Sequence, residues 1–342
     1  MIPKAPQLSL CIPTYNRAGL LRESMEAILA QIGPEEAAQV EILVVDNASS
    51  DGTEAVIEDA VRQSPHVRLR FVRNAENIGP DRNFLKAITL AQGEFVFLVS
   101  DDDILLPGAV AALLAMIRRH PNFDAFSMNV CPFVSSPKDA GPALLDLPED
   151  LAVHRRDDAL RLLGTLIGFM SILAFRKSCI EPGSYAGRTG TNFLQSFLFL
   201  DVLAGERGFA VAAQPRLAQR AGNAAGLDYF RVFVTGLHGV LAYAEEKGYS
   251  RTVTRRIEAD NLIAVRHFVS SVKLHGLHAD LWPGCGDAVR RLFQVYGFRP
   301  YLWLAVVPLM FFPVPMRPLI PRLRRLLGRT AAGVDNANRL HR

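Results

Sequence analysis

Strand-like and helix-like patterns alternate four times over roughly the first 120 residues, and this rhythm limits the possible folds more than any other feature. Leu8 to Pro13, Val40 to Val45, Val67 to Val72 and Phe95 to Val99 are short apolar runs rich in strand formers. Between them, Leu20 to Gln31, Thr53 to Arg62 and Arg82 to Ala91 read as helices, and Pro107 to Arg119 reads as an Ala/Leu-rich helix with proline in its first turn. Repeated strand–helix–strand units imply a parallel α/β sheet with helices on both faces.

In such a sheet, ligands bind beyond the carboxyl ends of the strands. The polar punctuation after the first, second and fourth strands therefore converges on one cleft: Thr14 to Arg17, Asp46, and Asp101-Asp102-Asp103. The last group stands out, because an apolar run ends abruptly in three adjacent carboxylates. Their mutual repulsion would be relieved by a hard divalent cation such as Mn²⁺ or Mg²⁺. The plainer alternative is a solvated acidic turn capping the helix at Pro107. A dinucleotide fold requires Gly-x-Gly-x-x-Gly after the first strand, whereas Pro13-Thr14-Tyr15-Asn16-Arg17-Ala18-Gly19 offers one glycine. No Walker loop is present, so a bound phosphate would have to be neutralised by side chains and a metal.

These motifs, taken in order, resemble the family 2 glycosyltransferases of GT-A fold, which implies a Rossmann-like α/β domain whose sheet is mostly parallel. The resemblance is carried by Cys11-Ile12-Pro13-Thr14-Tyr15-Asn16-Arg17, by Val44-Val45-Asp46-Asn47-Ala48-Ser49-Ser50-Asp51-Gly52-Thr53, by Asn77-Ile78-Gly79 with Asn83, and by the aspartate run followed by Pro107. It is close over about residues 8–120 and looser over 160–230, where Arg220-Ala221-Gly222-Asn223 is similar to bacterial O-antigen sugar transferases of the abequosyltransferase type. The resemblance implies transfer of a sugar from a nucleotide-diphosphate donor to an acceptor hydroxyl. It implies that Pro13, Thr14, Tyr15 and Arg17 line the nucleotide pocket and that Asp46 accepts a hydrogen bond from the base. Asn77, Gly79 and Asn83 would shape the donor wall, and Asp101 and Asp103 would hold the metal with Asp102 between them. Many relatives carry the first aspartate one place earlier, where this chain has Ser100, so the register of the metal motif stays open. Asp51 reads instead as a turn and helix-cap residue.

An inverting transfer also needs a base for the acceptor hydroxyl. The family supplies an acidic pair late in the domain, but the corresponding Gly190-Thr191-Asn192-Phe193-Leu194-Gln195 contains no acid. Asp201 and Glu181 are the nearest candidates, and a packing or surface carboxylate is the competing reading of Asp201. A non-catalytic sugar-nucleotide or glycan-binding protein on the same fold is the alternative that this gap leaves open.

Composition sets the remaining bounds. Of 342 residues, 49% are hydrophobic, enough for a large core, and the net charge of +4 gives no reason to expect nucleic acid. Four scattered cysteines without a Cys-x-x-Cys pair argue against zinc and disulfide frameworks and fit a reducing compartment. No secretory signal is visible at the N-terminus. The expected organisation is a catalytic GT-A domain over 1–225, a helical extension over 226–297 and an apolar, basic tail over 298–342. In that tail, Tyr301 to Phe312 is uncharged and strongly apolar, and Arg317, Arg322, Arg324, Arg325 and Arg329 follow. A spanning helix needs about 20 apolar residues. This run suits an interfacial segment on anionic lipid, or an oligomer or core-packing hairpin. The first option places the protein peripherally at the cytoplasmic face of the plasma membrane, facing a lipid-linked glycan acceptor.

Overall fold

The computed structural model describes residues 5–221, 228–275, 282 and 284–311, and they divide into two compact units. The first comprises residues up to Ala221 together with Lys247–Tyr249. Its strands are β1 (Leu8–Thr14), β2 (Val40–Asp46), β3 (Arg68–Arg73), β4 (Phe95–Leu98), β5 (Ile104–Leu105), β6 (Ala125–Phe133), β7 (Leu151–Val153), β8 (Leu173–Arg176) and β9 (Phe209–Arg220). Its helices are α1 (Ala18–Leu29), α2 (Pro34–Ala37), α3 (Thr53–Gln63), α4 (Pro80–Leu90), α5 (Ala109–Arg119), α6 (Arg156–Leu163) and α7 (Leu194–Ala204).

The strands form one sheet in the order β3-β2-β1-β4-β8-β6-β9-β5, with β7 on β9. The first four are parallel neighbours, as the strand–helix rhythm requires. Residues of β1, β2 and β4 are all buried, which is why they read as continuous apolar runs rather than alternating ones. Beyond β4 the sheet turns mixed: β8 runs antiparallel to both β4 and β6, while β9 is parallel to β6. The chain enters β8 through a 3₁₀ turn over Met170–Ile172. The turn is pinned by Ser171, whose Oγ accepts the Ser100 N–H at 2.9 Å and donates to Asp103 at 2.6 Å. Helix α7 is mostly apolar and buried on nearly every side, so it is a core helix rather than a one-sided cover.

The second unit comprises 222–246 and residues from Ser250 onward. Among the described residues it is helical: a π-helical turn over Phe230–Gly236, then α8 (Leu237–Glu246), α9 (Arg251–Ser270), α10 (Cys285–Tyr296) and α11 (Val307–Phe311). Phe230, Val234, Leu262, Val265, Leu292 and Met310 meet in its core. The arginine cluster from Arg317 to Arg329 and Asn223 lie outside the described residues. No helix among the described residues is long and apolar enough to cross a membrane.

Candidate active site

The first unit carries a cleft of about 330 Å³ at the carboxyl ends of β1, β2 and β4. The loops that build it are locked to one another by short polar contacts. The Asn16 N–H donates to Ser49 Oγ at 2.8 Å, and Asn16 Oδ1 accepts the Ser50 N–H at 2.7 Å. This ties the loop after β1 to the loop after β2. Asp51 closes the same corner by accepting the Ala18 N–H at 2.9 Å and the Thr53 N–H at 3.1 Å, so it holds the turn and the first turn of α3. Gly79 has φ of +83°, which only glycine adopts freely, and it delivers the chain into α4 with Pro80 in the first turn.

Of the residues read from the sequence, Pro13, Thr14, Tyr15, Arg17, Asn77, Asn83 and Asp101 line this cleft. Asp101 is 3% exposed; it accepts Thr14 Oγ1 at 2.7 Å and the Arg17 guanidinium at 3.1 Å. Arg17 also reaches Asp102 at 3.3 Å. Asp103, 2% exposed, accepts the Ser171 hydroxyl at 2.6 Å and the Arg220 N–H at 3.2 Å, and is not on the cleft wall. Burial pushes the Asp101 carboxyl up to about 6, against the opposing pull of Arg17. Burial, reinforced by the neighbouring Asp102 charge, pushes Asp103 up to about 7. Asp101 and Asp103, held in surroundings that penalise their charge, with the Arg17 guanidinium bridging Asp101 and Asp102, are carboxylate donors of the type a divalent cation takes. Among the described residues, however, no three acidic, histidine or cysteine side chains are already gathered in ligand geometry.

Other sequence candidates stand away from the cleft wall. Asp46 is fully buried and its carboxylate is occupied by the Ser49 N–H at 3.1 Å and Arg73 Nε at 3.6 Å. The next residue, Asn47, lines the cleft instead. Its Oδ1 accepts from Asn74 Nδ2 at 2.9 Å and from the Ile78 N–H at 3.0 Å, and its Nδ2 donates to Asn77 Oδ1 at 2.7 Å. Asn77 Oδ1 also accepts the Gly79 N–H at 2.9 Å, so Gly79 shapes the wall through its backbone. Asn83 donates to the Val45 carbonyl at 2.9 Å. Asp201 accepts the Tyr185 hydroxyl at 2.6 Å and pairs with Lys247 at 2.8 Å, and Glu181 is exposed ahead of a 3₁₀ turn; neither lines the cleft.

Sequence reading assigned no site role to Asn47, Pro80 and Phe84, which line the cleft, or to Asp81, the residue that follows Pro80. Asn47 had a signal, since it lies one place beyond a strand end already marked polar. Asp81 had none: its partners, Thr191 and Asn192, lie more than 100 positions along the chain.

The glycosyl transferase family 2 model matches residues 9–144. The abequosyltransferase RfbV of Salmonella typhimurium is 41% identical over 108 residues, covering 31% of each chain. A GalNAc(5)-diNAcBac-PP-undecaprenol beta-1,3-glucosyltransferase of Campylobacter jejuni is 34% identical over 109 residues, 32% of this chain and 34% of that one. The matched segment thus spans about a third of these relatives' length. Among solved structures, S. aureus TarS 1–349 in complex with UDP-GlcNAc superposes with a TM-score of 0.57 at 17% identity, covering 83% of this chain and 81% of that one. The mannosyltransferase PcManGT of Pyrobaculum calidifontis, in complex with GDP-Man and Mn²⁺, gives 0.51 at 16% identity over 94% and 88%. At those identities the likeness concerns the fold, which is GT-A-like. Residues 9–144 are thus similar to glycosyl transferase family 2, and the remainder of the chain lies outside that match.

Proposed function

We propose that this protein transfers a sugar from a nucleotide-diphosphate donor to an acceptor hydroxyl on a lipid-linked surface glycan. The observation that carries the reading is the cleft itself: Thr14, Arg17 and Asp101 meet at the carboxyl ends of three strands, where this fold binds nucleotides. The relatives' names point the same way, one to abequose transfer and one to an undecaprenol-linked acceptor.

In this reading Tyr15, 44% exposed at the cleft, offers a ring face to the nucleotide base, and Asn47 and Asn77 offer amides to its polar edge. Asp101 and Asp102, with Asp103 behind them, would hold Mn²⁺ or Mg²⁺, which supplies Lewis acidity toward the departing diphosphate. Arg17 adds a permanent positive charge that binds and orients the phosphates; the two aspartates already hold that charge at the mouth of the cleft. Asp103 fixes the strand end by taking the Ser171 hydroxyl and the Arg220 N–H.

The second unit supports a membrane-surface placement. Phe298 is 81% exposed, Leu304 80% and Phe311 63%, within a chain segment that the sequence follows with five arginines. Apolar anchors beside basic residues bind anionic bilayers. On this account the protein is peripheral at the cytoplasmic leaflet, where a lipid-linked acceptor would be met in two dimensions. Calorimetric titration of UDP, GDP and dTDP, each with and without Mn²⁺, tests the donor half. Binding of one diphosphate that strengthens with Mn²⁺ is expected; no binding of any would refute the reading.

A further inference from the structure

We infer that Asp81 is the base that the 190–195 segment lacks, one oxygen holding that segment and the other receiving the acceptor's proton. The inference rests on the sugar-transfer reading above. Asp81 sits in the first turn of α4, whose Pro80, Asn83 and Phe84 line the cleft. Its side chain crosses to the very segment where an acid is missing. Oδ2 accepts the Thr191 N–H at 2.8 Å and the Asn192 N–H at 3.0 Å. Oδ1 is buried and has no hydrogen-bond partner. It is the one buried carboxylate oxygen among the described residues in that state.

The neighbouring acids are all engaged: Asp46 by Ser49 and Arg73, Asp101 by Thr14 and Arg17, Asp103 by Ser171 and Arg220. Leaving a buried carboxylate oxygen unpaired costs about 1–3 kcal/mol or more, so native structures seldom do it without a use. Anchoring alone does not call for an acid here. Both anchoring bonds end on one oxygen, and an asparagine would accept them equally well without burying a charge. The adjoining wall is in fact built from asparagines, at 47, 74, 77 and 83. The clasped segment holds Asn192 at φ +63° and Gly190 at φ +88°.

In the reaction, the acceptor O–H gives its proton to Asp81 Oδ1 while its oxygen forms a bond to the anomeric carbon. The bond from that carbon to the phosphate oxygen breaks, and its electron pair leaves with the nucleoside diphosphate. Shielding Oδ1 from water favours the acceptor over hydrolysis of the donor, and catalytic contacts of this kind commonly close only in the substrate complex.

The test is Asp81→Asn, which preserves an acceptor for both N–H groups. Expected are nucleoside-diphosphate affinity within threefold of the parent, a melting temperature no lower than the parent's, and sugar transfer lowered about 10²–10⁴-fold with the acid limb of the pH profile lost. Asp81→Ala should regain part of its rate in sodium formate, whereas Asp81→Asn should not. Transfer by Asp81→Asn within threefold of the parent, with the parent's pH profile, would overturn the assignment and leave Asp81 an anchor. Diphosphate titration of the parent tests the underlying reading separately: a parent that binds donor while Asp81→Asn transfers normally refutes the base alone.

Discussion

The two units put opposite burdens on their own stability. The first buries charge: Asp46, Asp81, Asp101 and Asp103 are each at most 3% exposed. The second exposes apolar surface: Phe298, Leu304 and Phe311 stand 63% or more open to solvent. A chain selected for stability alone would do neither, because a buried carboxylate is costly and a solvated aromatic forgoes its transfer free energy. Each departure marks the place where something outside the chain completes the structure. On the function proposed above, that would be a cation and a polar donor for the first unit and an apolar phase for the second. The exposed ring cluster is organised, with Phe293, Phe298 and Trp303 in mutual contact at 5.1–6.3 Å between centroids, so these side chains form a patch rather than scattered exceptions.

The contrast can be broken first at the patch. Burying one Phe or Leu side chain is worth about 1.5–3 kcal/mol. The double variant Phe298→Ser/Leu304→Ser should therefore weaken binding to vesicles rich in anionic lipid roughly 100-fold or more, while leaving the melting temperature within the small range usual for surface changes. Vesicle co-sedimentation measures this, and undiminished binding would remove the second half of the contrast. A smaller effect sharpens the first half. Asp101 and Asp103 keep their protons to about pH 6 and pH 7 in the folded state, whereas an unfolded aspartate loses its proton near pH 4. Between those values the native state binds more protons, so stability falls as pH rises from about 4 to about 7 and levels off above. Urea unfolding in chelator at pH 5 and pH 8 should show the parent more stable at pH 5. Asp103→Asn should flatten part of that difference and gain on the order of a few kcal/mol at pH 8. A parent equally stable at both values would mean that these acids are not held against their charge.

The parallel half of the first unit was legible because β1, β2 and β4 are buried on both faces and wear that burial as unbroken apolar runs. The mixed half was not. Strand β6 contains Ser127, Asn129 and Pro132, and β9 carries Gln214-Pro215 in an alanine-rich stretch. Neither has a period of its own, and both are strands because of what they pair with. Asn129 shows how: its amide donates to the Leu145 and Ala213 carbonyls at 2.7 Å each, at the point where the β6–β9 register shifts. The site divides in the same way. Thr14, Arg17 and Asp101 follow directly from strand ends, so position in the motif was enough to bring them together. Whether Asp46 or Asn47 faces the cleft depends on the twist of one residue after β2, which spacing does not report. Asp81 meets Thr191 across 110 positions, a contact that no local pattern encodes.

The central claim is that the acidic end of β4 serves a departing diphosphate. Asp101→Asn tests it most directly, because the amide keeps the side chain's shape and can still accept the Thr14 hydroxyl while removing the charge. Nucleoside-diphosphate release from a nucleotide sugar in Mn²⁺, with a lipid extract as acceptor, should fall about 10²–10³-fold in this variant while the fold stays intact. Release at the parental rate would contradict the account.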